Sequence, residues 1–280
     1  MIMITIGLTG WSDHPLITLD QSKKLENYSS HFPVVELDTS FYAIPPDKNI
    51  KSWIEKTPAV FTFIPKAYKA MTMHKEWIEE FTSIESMFKV YKQTFSPMVE
   101  AGKVKAFLFQ FPPYFDCTRQ NVQYLRLVRK LMGDWPLAIE FRSQSWFNEN
   151  NQSKTIHFLK ELEMINVIVD QPQTPNNSVP TISVSTHPSL SIYRLHGRNY
   201  EGWLGENIQD WRAERTLYEY KEKELESFAE TARTLEKDSH EVCVIFNNNS
   251  GGHAAPNAKT LQKILGLDFE NLSPRQLDLF

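Results

Sequence analysis

The chain reads as an α/β protein, a single (β/α)8 barrel of the TIM type with long loops at the carboxyl face of its strands. Three observations predict it. Eight short apolar runs recur through the 280 residues. Most are continuous rather than alternating, as strands buried on both faces of a parallel sheet require. Amphipathic stretches of helical period lie between them, which is the alternation a barrel needs. An open doubly wound sheet is the alternative.

The expected strands, in order, are Ile2–Leu8, Val34–Leu37, Val60–Ile64, Val104–Phe109, Leu137–Ile139, Val167–Val169, Ile192–Leu195 and Val242–Phe246. Helical candidates around Gln21–Tyr28 and Asp47–Lys56 follow the first two. Trp77, Ile78, Phe81, Ile84, Phe88, Tyr91 and Phe95 repeat at helical spacing after the third strand. Val122, Leu125, Val128 and Leu131 do so after the fourth, with Thr118 as the expected N-cap. Ile156, Leu159 and Leu162 mark the next helix. Leu225, Phe228, Ala232 and Leu235 mark another, its outer face filled by Lys and Glu, and a last candidate spans Asn257–Leu265. Two connections are long: the Pro-rich stretch 171–188 after the sixth strand, and 197–220 after the seventh. On the carboxyl side of barrel strands such loops build or cover a site. Residues 1–270 are expected to form the barrel and 271–280 a C-terminal tail.

Hydrophobic residues make up 41% of the chain, and the net charge is −4. That composition excludes a disordered chain and a disulfide-dense mini-protein, and the charge argues against nucleic-acid attraction by the whole surface. Cys117 and Cys243 are expected as reduced thiols. No apolar run approaches the length of a membrane span, and MIMITIGLTGW reads as a strand rather than a signal peptide, so the cytoplasm is the expected location. GxSxG, GxGxxG and Walker motifs are absent from the sequence, which disfavours nucleophile-elbow hydrolases and nucleotide-cofactor enzymes.

Polar residues at strand ends converge on one mouth of a barrel. Glu36 follows the second strand here, Lys66 the third, Gln110 the fourth, Glu140 and Arg142 the fifth, and Asp170 the sixth. Arg194, His196 and Arg198 share one parity at the seventh, and Asn247, Asn248 and Asn249 end the eighth. Such residues can simply pair with one another to satisfy burial, but so many in one mouth point to a ligand site. Lys66, Arg142, Arg194 and Arg198 suit phosphate or carboxylate groups. Glu36, Glu140 and His196 are the candidates for general acid/base chemistry. The same carboxylates with His196 and Asp170 are a weak candidate for a divalent metal, since no close ligand spacing occurs. Trp11, Tyr42 and Trp146 lie beside strand ends and are candidates to stack a sugar or base ring, with core packing as the plainer alternative.

GLTGWSD, VELDTSFYAIP, FIPKAYKAMTMH, FLFQFPPYF, AIEFRSQSW, YRLHGRN and VIFNNNSGGHAAPNA together resemble the YecE-like family, domain-of-unknown-function family 72, and most nearly its YunF-like branch. The resemblance runs through the whole chain. It implies a TIM-type barrel, no established reaction, and polar motif positions at Glu36, Lys66, Gln110, Glu140, Arg142, Asp170, Arg194, His196 and Asn248. Asp38 departs from it, standing where the family pattern has a neutral amide.

Gln276, Leu277, Asp278, Leu279 and Phe280 resemble the pentapeptide by which bacterial replication and repair proteins dock on the sliding clamp. Gln276 offers a two-sided amide, while Leu279 and Phe280 are apolar anchors. A tail folded back onto the barrel is the alternative. The leading functional expectation is a hydrolase-type enzyme for a phosphate-bearing or nucleic-acid-derived substrate, brought to DNA indirectly through the clamp. A non-catalytic module that captures an anion or a nucleic-acid end, and a metabolic enzyme without clamp contact, are the alternatives.

Overall fold

The computed structural model describes residues 3–17, 20, 22–175, 178–205 and 210–274. Its eight strands are β1 (Met3–Thr9), β2 (Val34–Leu37), β3 (Thr62–Pro65), β4 (Phe107–Gln110), β5 (Leu137–Glu140), β6 (Met164–Asp170), β7 (Leu190–Leu195) and β8 (Glu241–Phe246). They lie parallel in the order β3-β2-β1-β8-β7-β6-β5-β4. Two isolated bridges, Phe63 with Val104 and Lys66 with Leu108, bring the edge strands together. The sheet is thus a nearly closed barrel. Every strand is buried almost end to end, as its continuous apolar run demands.

The helices are α1 (Lys24–Ser29), α2 (Thr39–Tyr42), α3 (Asp47–Glu55), α4 (Ile84–Glu100), α5 (Arg119–Met132), α6 (Gln152–Glu161), α7 (Tyr200–Leu204), α8 (Trp211–Arg215), α9 (Glu222–Leu235) and α10 (Ala254–Leu265). Thr118 caps α5 as expected, its hydroxyl accepting from the Asn121 amide at 3.3 Å. The long helix expected from Trp77 begins only at Ile84. Ser83 and Ser86 cap it reciprocally, each hydroxyl accepting from the other's amide at 3.1 Å. Trp77, Ile78 and Phe81 therefore sit in the turn ahead of α4 and outside it.

The connection from β6 to β7 departs from simple alternation. Among its described residues there is no helix. Pro172, Pro175, Pro180 and Pro188 deny it the amides a helix needs, and the segment runs back along β6. The Thr181 hydroxyl donates to the Val169 carbonyl at 2.8 Å, and the Thr186 hydroxyl donates to the Met164 carbonyl at 2.7 Å. The Asn166 amide in turn donates to Thr186 Oγ1 at 2.7 Å.

The strand register carries one parity around the barrel. Glu36 pairs with Thr9 and Ile64, Gln110 with Glu140, Val169 with Arg194, and Arg194 with Ile245. Arg194 touches side chains on both β2 and β5, which only the interior allows. Asp170 is paired with Leu195 and has the opposite parity. Outside the interior, aromatic rings stack in the connections that follow β4 and β5. Phe141 and Trp146 stack at 4.2 Å between ring centroids, and Phe111 and Phe115 at 4.1 Å.

Candidate functional site

Arg194 sits at the centre of the mouth. Its Nε and one terminal nitrogen donate to the two oxygens of Glu36, each at 2.7 Å. Its other terminal nitrogen donates to Glu140. Glu140 also accepts from Gln110 at 2.6 Å, and Arg142 Nε lies 2.9 Å from the same oxygen without the alignment of a hydrogen bond. His196 Nε2 is 3.2 Å from that oxygen, while its Nδ1 is 2.9 Å from the Asn247 amide nitrogen. An amide nitrogen can only donate, so this shorter contact makes Nδ1 the acceptor and puts the proton on Nε2, towards Glu140, with the Arg142 and Arg194 guanidiniums farther off at 3.5 Å. Glu36, Glu140 and His196 are each 0% exposed.

The electrostatics follow from this packing. Burial pushes the Glu140 carboxyl up, but Arg194, Arg142 and His196 outweigh it and hold the group well below the usual carboxylate range. Burial dominates at Glu36, which lies above its ordinary value despite Arg194 and Lys66. Burial also drives His196 well below its ordinary value, so its imidazole is neutral. Burial lowers Arg142 from the ordinary guanidinium value, against the pull of Glu140. Lys66 pairs with Asp38 at 2.7 Å and lies over the Phe41 ring. Asp38, the departure from the family pattern, therefore supplies the counter-charge for Lys66.

Beside this network opens a cavity of about 430 Å3, lined among others by His74, Gln110, Tyr114, Arg142, Trp203 and Arg215. Two guanidiniums lie against the Trp203 indole, Arg142 at 4.9 Å and Arg215 at 4.6 Å from its ring centroid. Arg142 also donates to Gln171 at 3.3 Å.

The structure thus brings Glu36, Lys66, Gln110, Glu140, Arg142, Arg194 and His196 together. Three other polar candidates lie elsewhere. Gly197, with φ of 84°, turns the chain out of the strand, so Arg198 leaves the parity of Arg194 and His196. Arg198 grips Asp170 through both oxygens at 2.6–3.0 Å, outside the interior, where the Tyr220 hydroxyl donates to Asp170 at 2.7 Å. Asn248 also faces outward, donating to the Tyr218 carbonyl at 2.8 Å and to Asn257 Oδ1 at 2.9 Å. Of the aromatic candidates, Trp146 is buried and donates to the Phe115 carbonyl at 2.6 Å, so it belongs to the outer core. Trp11 packs edge-on against Trp53, and Tyr42 is exposed against Phe41. Among the described residues no group of three or more His, Cys, Asp or Glu is placed to hold a metal ion, and no helix is long and apolar enough to cross a membrane. The pentapeptide 276–280 lies outside the described residues.

Sequence reasoning did not single out Asn247, Gln171, His74, Trp203 or Arg215 as site residues. Asn247 shares the parity of Ile245 and so faces inward where Asn248 does not. Both faces of β8 are apolar, so periodicity carried no sign of which was which. His74 lies in an irregular turn, and Arg215 ends the short helix α8, where too few residues exist for a period to be read.

The model of a family described as "Protein of unknown function DUF72" matches residues 5–278. The chain is 46% identical to the UPF0759 protein YunF of Bacillus subtilis over 283 residues, covering 99% of this chain and 100% of that one. It is 26% identical to the UPF0759 protein YecE of Escherichia coli K12 over 155 residues, 55% of this chain and 54% of that one. A DUF72 family structure from Enterococcus faecalis superposes with a TM-score of 0.94 at 42% identity, covering 99% of this chain and 100% of that one. One from Thermotoga maritima gives 0.81 at 30% identity, over 95% and 100%. The chain belongs to the DUF72 family of TIM-barrel proteins.

Proposed function

We propose that the barrel mouth binds a small phosphate-bearing ligand and that the protein hydrolyses it. The observation that carries this reading is the pair of guanidiniums, Arg142 and Arg215, set against Trp203 at one cavity. Guanidinium forks match phosphate oxygens, and the field of a partly desolvated cavity strengthens the attraction. The Trp203 Nε1–H is buried without a hydrogen-bond partner, a donor suited to a ligand oxygen. Glu140 supports this by holding Arg142 and Arg194, and Glu36 by holding Arg194. With their oxygens engaged, these carboxylates and His196 position the cations rather than exchange protons with a ligand.

Titration calorimetry with inorganic phosphate tests the binding. The wild-type protein is expected to bind it, and Arg142→Ala to weaken binding by about 10- to 100-fold, the equivalent of one charge-assisted hydrogen bond. Equal affinity in the variant would sink the assignment. Turnover is tested on p-nitrophenyl phosphate, sugar phosphates, nucleotides and damaged DNA with Mg2+, Mn2+ or Zn2+ supplied. The complete burial of Glu36, Glu140 and His196 favours a second reading, capture without turnover. Phosphate binding with no release from any of these esters would select it. Docking of residues 276–280 on the sliding clamp is a separate proposal, supported by the chemistry of the pentapeptide.

A further inference from the structure

We propose that His74 is the proton acceptor of the mouth, its Nε2 taking the proton of the water that attacks the bound phosphoester; this rests on the phosphoester reading above. His74 lines the same cavity as Arg142, Gln110 and Arg215, and its side chain is exposed. It is thus reachable where Glu36, Glu140 and His196 are sealed. One contact sets the tautomer. The Thr72 hydroxyl donates to the Lys69 carbonyl at 3.3 Å and lies 2.9 Å from His74 Nδ1. Its single proton is engaged at the carbonyl, so it accepts from Nδ1–H. This contact draws the imidazole's one hydrogen to the Thr72 side and leaves Nε2 with its lone pair. The ring is steadied edge-on by Phe41 at 5.0 Å between centroids. The backbone amide of His74 is fixed as well, donating to the Lys69 carbonyl at 2.9 Å.

The charged and titratable groups around the imidazole are Lys66 at the end of β3, Arg142 after β5, and Arg215 and Tyr114 across the cavity. Partial desolvation, then Lys66 and Arg142, hold the imidazole below its ordinary pKa, so it is a free base at neutral pH. A bound phosphate dianion offsets those two positive charges and raises its basicity when substrate is present. In the reaction the water oxygen bonds to phosphorus as the P–O bond to the leaving group breaks. Water's proton goes to Nε2. The leaving oxygen takes a proton from solvent, and His74 returns its own to solvent, so protons and charge balance.

The test uses the full-length protein with p-nitrophenyl phosphate as substrate and inorganic phosphate as the binding probe. His74→Asn is expected to keep the phosphate affinity within about twofold and to lower kcat by about 100-fold, at the low end of general-base effects. Wild type is expected to show an acid limb in kcat at higher pH than in kcat/KM, because substrate raises the imidazole pKa, and His74→Asn to lose both limbs. Thr72→Val gives a readout without turnover. 15N NMR of the His74 ring is expected to show the Nδ1–H tautomer in wild type and a mixture in the variant. Unchanged kcat and acid limbs in His74→Asn, an Nε2–H tautomer in wild type, or phosphate binding without any turnover would each overturn the role of His74. Failure of wild type to bind phosphate would instead remove the phosphoester reading beneath it, and the proposal with it.

Discussion

Arg194 is a buried cation whose two carboxylate partners come from strands on either side of it. Such a group is stable only with every partner in place, because an unpaired buried charge costs several kcal/mol. That makes the mouth sensitive to acid. Glu140 titrates below its unfolded value of 4.5, so its contribution is full above that value and is lost as pH falls through the lower, folded pKa. His196 is held neutral below its unfolded value of 6.5, so its contribution is full above 6.5 and declines as the unfolded chain takes up the proton. Glu36, held above its unfolded value, contributes in the opposite sense, so the fall of unfolding free energy expected from pH 7 towards pH 5 is carried by the lowered histidines. In His196→Gln the slope in urea-unfolding measurements should shrink by about one proton, ~1.4 kcal/mol per pH unit at most. His14, also buried and lowered, keeps the slope from vanishing. An unchanged slope would show that His196 does not carry this acid sensitivity. At this scale the sequence disclosed the cast and not the pairing. Glu36, Glu140 and Arg194 were legible as polar residues ending apolar runs. That one guanidinium would saturate both carboxylates depends on distances across the barrel, which no local pattern encodes.

At the scale of elements, strands were legible to within a few residues because burial on both faces forces unbroken apolar runs. The same property hid their facing, and so Asn248 was preferred over Asn247 and Asp170 was placed inside. Helix boundaries were legible where a side chain declares them, as Thr118 does for α5. The start of α4 was not, because the aromatic period continues through Trp77 and Phe81 although the reciprocal serine cap interrupts it. Gly197 shows how a single backbone position organises the element that follows. It releases Arg198 to Asp170 and lets α7 carry Trp203 back over the mouth. A Cβ there would stand 2.8 Å from Tyr218 Cβ, and the φ of 84° is itself unfavourable for other residues. Gly197→Ala is expected to destabilise the fold by roughly 1–3 kcal/mol, seen as a lowered Tm, and to weaken phosphate binding as Trp203 shifts. A variant as stable as wild type would mean that the turn can relax without its glycine.

For the whole molecule the net charge of −4 and the guanidinium-lined mouth stand in contrast. A negative surface repels polyanions at long range, so non-specific DNA binding through phosphate neutralisation is weak for such a protein. Access to DNA then needs a partner that already encircles it, which is the service a sliding clamp would provide to the segment Gln276–Phe280. Just ahead of that segment the chain is anchored to the barrel. Ser273 is pinned to α1, its amide donating to the Ser29 carbonyl at 3.1 Å and its hydroxyl lying 2.8 Å from that of Ser29. A chain shortened to Arg275 is expected to keep the wild-type Tm within about 1 °C and its affinity for inorganic phosphate, while losing retention on immobilised purified clamp. Gln276→Ala with Phe280→Ala should reproduce that loss in the full-length protein, since the amide and the aromatic anchor supply most of such a contact. Equal retention of the shortened and full-length chains would remove the clamp from the account. A lowered Tm on shortening would show that Leu277, Leu279 and Phe280 pack against the barrel instead, because burying three such side chains contributes several kcal/mol.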